Sequence, residues 1–131
     1  MSRYISEKLR IKVIEEANNC CEYCLQSNLV SFYPHQIDHI ISLKHGGKTE
    51  LDNLAYACFA CNNAKGSDIG TILLPNRTFI RLFNPRIDNW YEHFEIENGV
   101  IYDKSDIGKA TIKVLNLNEV DRVIERQDMY S

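Results

Sequence analysis

The chain has 131 residues, 44% of them hydrophobic and 25% charged, with a net charge of −3. That size suits one globular domain, or a small core with an extension. No run approaches the roughly 18 apolar residues of a membrane span and the opening MSRYISEKLR lacks an apolar signal segment, so no membrane partner and a cytoplasmic location are expected.

The acidic balance argues against broad electrostatic attachment to nucleic acid, because Lys and Arg on phosphates supply most non-specific affinity. Residues 20–70 hold three Lys or Arg against five Asp or Glu, so phosphate contacts must be local. Lys44, Lys48 and Lys65 are candidates. So are Arg77, Arg81 and Arg86, in an acid-free stretch from Ile69 to Ile87; the alternative is a solvated face balanced by the acids that follow. Weak affinity with a modest salt slope is expected, and a steep slope would point to more contacts, as a homodimer supplies.

In chain order, Ile5, Leu9, Val13, Ile14 and Ala17 recur at helical spacing, predicting an N-terminal helix with a stop at Asn18-Asn19. CEYC reads as a metal knuckle. HQIDHIIS suits a short strand, KHGGKT a loop turning at Gly46-Gly47, and LDNLAYA a second strand. A second knuckle, CFAC, leads into a short helix that Asn62 opens and that ends near Gly66 or Gly70.

Beyond Thr71 the chain holds most of its aromatic residues and a hairpin signal at Asn98-Gly99. Ser105 is placed to cap a helix through Ile107, Ala110, Val114 and Leu115, and Asn118 with Asp121 to cap a last one through Val120, Val123 and Ile124. The expected fold class is α+β. Residues 1–70 are expected to form the core with its N-terminal helix, and 71–131 a C-terminal extension packed on it.

Five cysteines fall in two groups, Cys20, Cys21 and Cys24, then Cys58 and Cys61. An odd number without an export signal argues against a disulfide framework. Two C-x-x-C pairs instead present four thiolates, from Cys21, Cys24, Cys58 and Cys61, to one tetrahedral Zn²⁺. Four sulfurs leave no position for water, so this zinc is structural. Cys20 competes with Cys21 for one ligand place.

Between the knuckles lie residues that phosphodiester chemistry needs. The carboxylate of Asp38 and the amide oxygen of Asn62 are hard ligands suited to Mg²⁺ or Mn²⁺. His39 is left to take a proton from water, a task for which an imidazole titrating near neutrality is suited.

CEYC, DHI, GGKT and LDNLAYACFACNNAKG, from Cys21 to Lys65, resemble the HNH endonuclease family with its beta-beta-alpha-metal core. The resemblance covers about a third of the chain. It implies His39 as general base, Asp38 and Asn62 as ligands of the catalytic divalent ion, Asn53 as the residue orienting loop and base, and Lys65 near substrate phosphate. It further implies hydrolysis of DNA, double- or single-stranded, to 5′-phosphate and 3′-hydroxyl ends. Asn62 stands where many members carry histidine; Asn63 next door is the other candidate for that ligand. LFNPRIDNWYEHF and GKATIKVLNLN resemble an extension on small stand-alone bacterial HNH proteins.

Other readings stay open. A non-catalytic zinc module binding nucleic acid or protein would use the same scaffold, and action on RNA or within a defence or toxin system is a third. His35 reads as a strand-edge surface residue, and His45, in the glycine loop, equally as a phosphate contact or as a merely exposed residue. His93 reads as packed, and Trp90, Tyr91 and Phe94 as the extension's own core.

Overall fold

The computed structural model describes residues 4–129. Helix α1 spans Glu7–Glu16, with the Ser6 hydroxyl accepting from Leu9 N at 3.2 Å to cap it. Its apolar stripe places Val13 and Ala17 against Leu54 and Tyr56, with Ile5, Leu9 and Ile14 around them. The helix therefore packs on the back of the first strand pair.

Strands β1 (Gln36–His39) and β2 (Leu54–Ala57) pair antiparallel, with Asp38 opposite Ala55 and His39 opposite Leu54. Helix α2 (Phe59–Lys65) follows β2 through Cys58, whose sulfur accepts from Cys61 N at 3.4 Å. The helix thus starts at Phe59, and Asn62 lies mid-helix instead of opening it. Gly66 ends it in a positive-φ conformation, at φ 51°.

A second antiparallel hairpin, β3 (Gly70–Leu73) with β4 (Thr78–Arg81), comes next. It carries no Asn-Gly signal, and the sequence alone did not announce it. Short helix α3 (Trp90–His93) leads into β5 (Phe94–Glu97) and β6 (Val100–Asp103), joined at Asn98 and Gly99 with φ 52° and 82°. Two consecutive left-handed residues are what a tight hairpin turn of matching twist requires.

Helix α4 (Asp106–Leu115) is capped by Ser105, whose hydroxyl accepts from Gly108 N at 3.0 Å. Thr111 is fully buried on it and bonds twice, donating to Ile107 O and accepting from Phe83 N at 2.8 Å. Helix α5 (Val120–Met129) is the last element. Asn118 does not cap it: its amide is spent on both backbone groups of Ile101, at 2.9 and 2.8 Å.

The architecture is α+β, with three two-stranded antiparallel sheets among the described residues. One apolar cluster joins Tyr23, Ile40 and Ala57 to Phe83, Trp90, Phe94, Ala110, Leu115 and Leu117, so the core runs across residue 70 without a break. Among the described residues no helix is long and apolar enough to cross a membrane.

Candidate active site and metal centre

Each knuckle is a tight turn that aims two sulfurs inward. Cys24 N donates to Cys21 Sγ at 3.5 Å, mirroring the Cys61 to Cys58 bond. The four sulfurs of Cys21, Cys24, Cys58 and Cys61 lie within 4.8 Å of one another, all buried, and Cys24 and Cys58 are 3.6 Å apart. Zn–S bonds of about 2.3 Å place tetrahedral sulfurs about 3.8 Å apart, so the donor set fits zinc in type and size.

Burial pushes the Cys21 and Cys61 thiols well up, while hydrogen bonding to neighbouring sulfurs pulls Cys24 and Cys58 down. Clustered sulfurs share charge poorly without a cation among them. Arg122, from α5, donates to Cys61 Sγ at 2.7 Å, and the nearby thiolates hold its guanidinium charged despite burial. Cys20 stays outside the cluster, paired through its backbone with Ser27. The spacing alone had left Cys20 and Cys21 both eligible; the knuckle geometry selects Cys21.

A cavity of about 320 Å³ opens between β1, the 42–44 turn and the C-terminal half of α2. Asp38, His39, Ser42, Lys44, Asn62 and Ser67 line it. The imidazole of His39 is half-buried, with Nε2 2.9 Å from Thr49 Oγ1. Asn53 clamps the loop between the strands: its Oδ1 accepts from Ile41 N at 2.9 Å, and its Nδ2 donates to Ile41 O and Lys48 O at 2.8 and 2.9 Å. Holding Lys48 O fixes Thr49, and Thr49 in turn orients His39. Gly47 is needed where this loop closes, since a Cβ there would sit 1.7 Å from Ile41 O.

Asp38, the residue before His39 on β1, is buried. Its Oδ2 accepts from Tyr23 Oη at 2.8 Å, and Lys65 Nζ lies 3.2 and 3.3 Å from its two oxygens. Burial pushes the Asp38 carboxyl up, and the Lys65 ammonium and Tyr23 hydroxyl offset part of that rise. Lys65 is only 2% exposed and also donates to His39 O at 3.1 Å, so its charge faces the interior instead of the cavity mouth. Asn62 donates its amide N–H to Gln36 Oε1. Asn63 is exposed, on the same helix, outside the cavity lining.

These observations meet an independent one: residues 21–68 match the HNH endonuclease family. They form an HNH endonuclease domain. The match takes in both knuckles, the strand pair and α2. The chain is 26% identical over 119 residues to Septu protein PtuB of Bacillus thuringiensis, covering 88% of this chain and 43% of that protein. It is 33% identical over 95 residues to Septu protein PtuA of Bacillus mycoides (strain KBAB4), covering 64% of this chain and 13% of that one. The chain therefore spans less than half the length of either relative. No solved structure matches it significantly.

Around the HNH domain, several other readings take their place. His35 is buried, not at the surface: its Nε2 meets Gln26 O at 2.8 Å and its ring leans on Tyr56. His45 is exposed, and His93 packs on Phe83 with Nδ1 2.7 Å from Ser105 Oγ. Trp90 and Phe94 are core, Trp90 donating to Tyr23 O at 3.0 Å, but Tyr91 is exposed. Of the three arginines in the acid-free stretch, Arg77 is exposed and the other two are committed to acids. Arg81 pairs bidentately with Asp88, and Arg86 pairs with Glu22 and donates to Leu54 O. Thr49 and Tyr23 escaped sequence reasoning as site residues. The only trace they left was position, Thr49 after the glycine pair and Tyr23 inside a knuckle.

Proposed function

We propose that this chain is a metal-dependent endonuclease that hydrolyses DNA phosphodiester bonds. The observation that carries the reading is the shared cavity, where Asp38, His39 and Asn62 meet within the HNH domain. A four-thiolate zinc site suits a reducing, cytoplasmic setting.

His39, oriented by Thr49, acts as the general base that takes a proton from the attacking water. The water oxygen bonds to phosphorus as the bond to the 3′-oxygen breaks, and that oxygen takes a proton from solvent, giving 5′-phosphate and 3′-hydroxyl ends. Asp38 and the amide oxygen of Asn62 are the residues that would hold Mg²⁺ or Mn²⁺. A carboxylate offers about four acceptor positions, so Tyr23 and Lys65 leave room for a cation. Such an ion supplies electrostatic stabilisation of charge on the phosphoryl and leaving oxygens. Asn53 is the residue that keeps loop and base in register. Lys44, exposed at the cavity rim, is better placed than Lys65 to meet phosphate.

His39→Ala is expected to lower Mg²⁺- or Mn²⁺-dependent plasmid cleavage by roughly 10²-fold or more, with zinc content and circular dichroism unchanged. Near-normal cutting by that variant would remove His39 from the reaction. A second reading, a non-catalytic zinc module, is favoured by one feature: both Asp38 oxygens already have partners inside the chain, Oδ2 with Tyr23 and Oδ1 with Lys65. Binding of plasmid, single-stranded DNA or RNA without chelator-sensitive cuts, assayed side by side, would select it.

A further inference from the structure

Residues 28–34 leave the first knuckle as a loop whose base is fixed and whose tip is apolar. His35 N donates to Asn28 Oδ1 at 2.8 Å, and Ser31 Oγ donates to Tyr33 O at 2.6 Å. The rings are nevertheless turned outward, Phe32 91% and Tyr33 52% exposed. Tyr33 lies 4.8 Å from Phe59, itself 44% exposed at the start of α2, and Phe32 packs edge-on to Tyr33 at 4.9 Å. Three touching aromatic rings left in water contribute little to the core, and such patches mark binding surfaces.

Where this patch lies limits what it binds. Phe59 is three residues before Asn62 on α2, so the two share a helix face about 5–6 Å apart at Cβ. Gln36, three residues after Tyr33, bonds to Asn62 and closes the gap between patch and cavity. From Gln26 to Ile37 the sequence has no Asp, Glu, Lys or Arg. In a protein of net charge −3 this neutral strip neither repels nor attracts phosphate; it offers flat apolar faces. Of the six candidate phosphate contacts, Lys65, Arg81 and Arg86 are committed to internal ion pairs and Lys44, Lys48 and Arg77 stay exposed, so base stacking on aromatic rings is needed to add to a small electrostatic affinity.

We infer that Tyr33 and Phe59, with Phe32 at the rim, form a platform on which unpaired bases of a DNA strand stack beside the His39 cavity. The inference rests on the nuclease reading and narrows its substrate: a fully paired duplex keeps its base faces covered, whereas a single strand, flap or bubble exposes them.

The test is binding of a short labelled single strand and of the matching duplex to the zinc-loaded full chain carrying His39→Ala, which separates binding from cutting. Adding Tyr33→Ala and Phe59→Ala is expected to weaken single-strand binding by about 10- to 100-fold while duplex binding changes by less than about twofold. Tyr33→Trp is expected to preserve single-strand binding, and these exposed substitutions to leave the circular dichroism spectrum unchanged. Equal losses on both DNAs would overturn the platform. Unchanged single-strand binding would overturn it too, and a dimer-to-monomer shift in sedimentation would then assign the rings to contact between copies. Cutting is measured separately on the unaltered chain. A chain that stacks strands without metal-dependent cleavage sinks the nuclease reading alone, and one that cuts without ring-dependent strand preference sinks the platform alone.

Discussion

Lys65 shows how much a single side chain's direction matters. By resemblance it belongs near substrate phosphate; in the fold its ammonium is buried against Asp38 and His39 O. Removing one partner of a buried ion pair leaves the other charge uncompensated, at a cost of about 3–5 kcal/mol. Lys65→Met is therefore expected to lower stability to urea by roughly 3 kcal/mol, partly relieved because Asp38 can take a proton. The salt slope of DNA binding should stay as it was. A slope smaller by about one would instead put Lys65 on a phosphate. Cys20 and Cys21 teach the same lesson: adjacent residues of one type separate only when the knuckle's N–H to sulfur bond shows which points inward.

Among elements, the strand pair and α2 do little alone, and their value lies in being fixed to each other. Tyr23 ties the first knuckle to Asp38, Asn53 ties β2 to the loop after β1, and Asp88 ties β4 to α3 through Arg81 and Asn84 N. The Arg81 guanidinium holds the Asp88 carboxyl below the ordinary carboxylate range. A lowered folded-state value means stabilisation that is present above the ordinary range and lost as pH falls through the lowered value. Because Arg81 is 44% exposed, solvent screening limits this to at most about 1 kcal/mol. Asp88→Asn is thus expected to reduce the melting temperature at pH 7 and to converge with the parent in acid. A gap of constant size down to pH 2 would mean lost packing, not lost charge.

For the molecule as a whole, zinc and the shared apolar core pull in the same direction. Arg122 reaches from α5 to the sulfurs, while donating to Leu115 O and Asn116 O at the end of α4. The residues after 71 therefore contact the metal centre directly. Structural zinc contributes about 10–16 kcal/mol in small peptide sites, comparable to a whole domain's stability. Stripping the metal with a strong chelator is expected to lower the melting temperature of the entire chain in one calorimetric transition. Two separate transitions, the later one insensitive to chelator, would show that residues 71–131 fold by themselves.

The sequence by itself determined the helices with strong apolar spacing and capping residues, α1 and α4, the Asn98-Gly99 hairpin, and the cysteine quartet, because those signals are local: a period, a cap, a left-handed turn, a ligand spacing. It also brought Asp38, His39 and Asn62 forward as chemistry. Only the tertiary structure decided that Lys65 and His35 turn inward, that Arg81 and Arg86 are neutralised by Asp88 and Glu22, and that Tyr33 meets Phe59 beside the cavity. Each of those joins side chains at least seven residues apart or depends on which face of an element is covered, and a linear pattern carries no term for either.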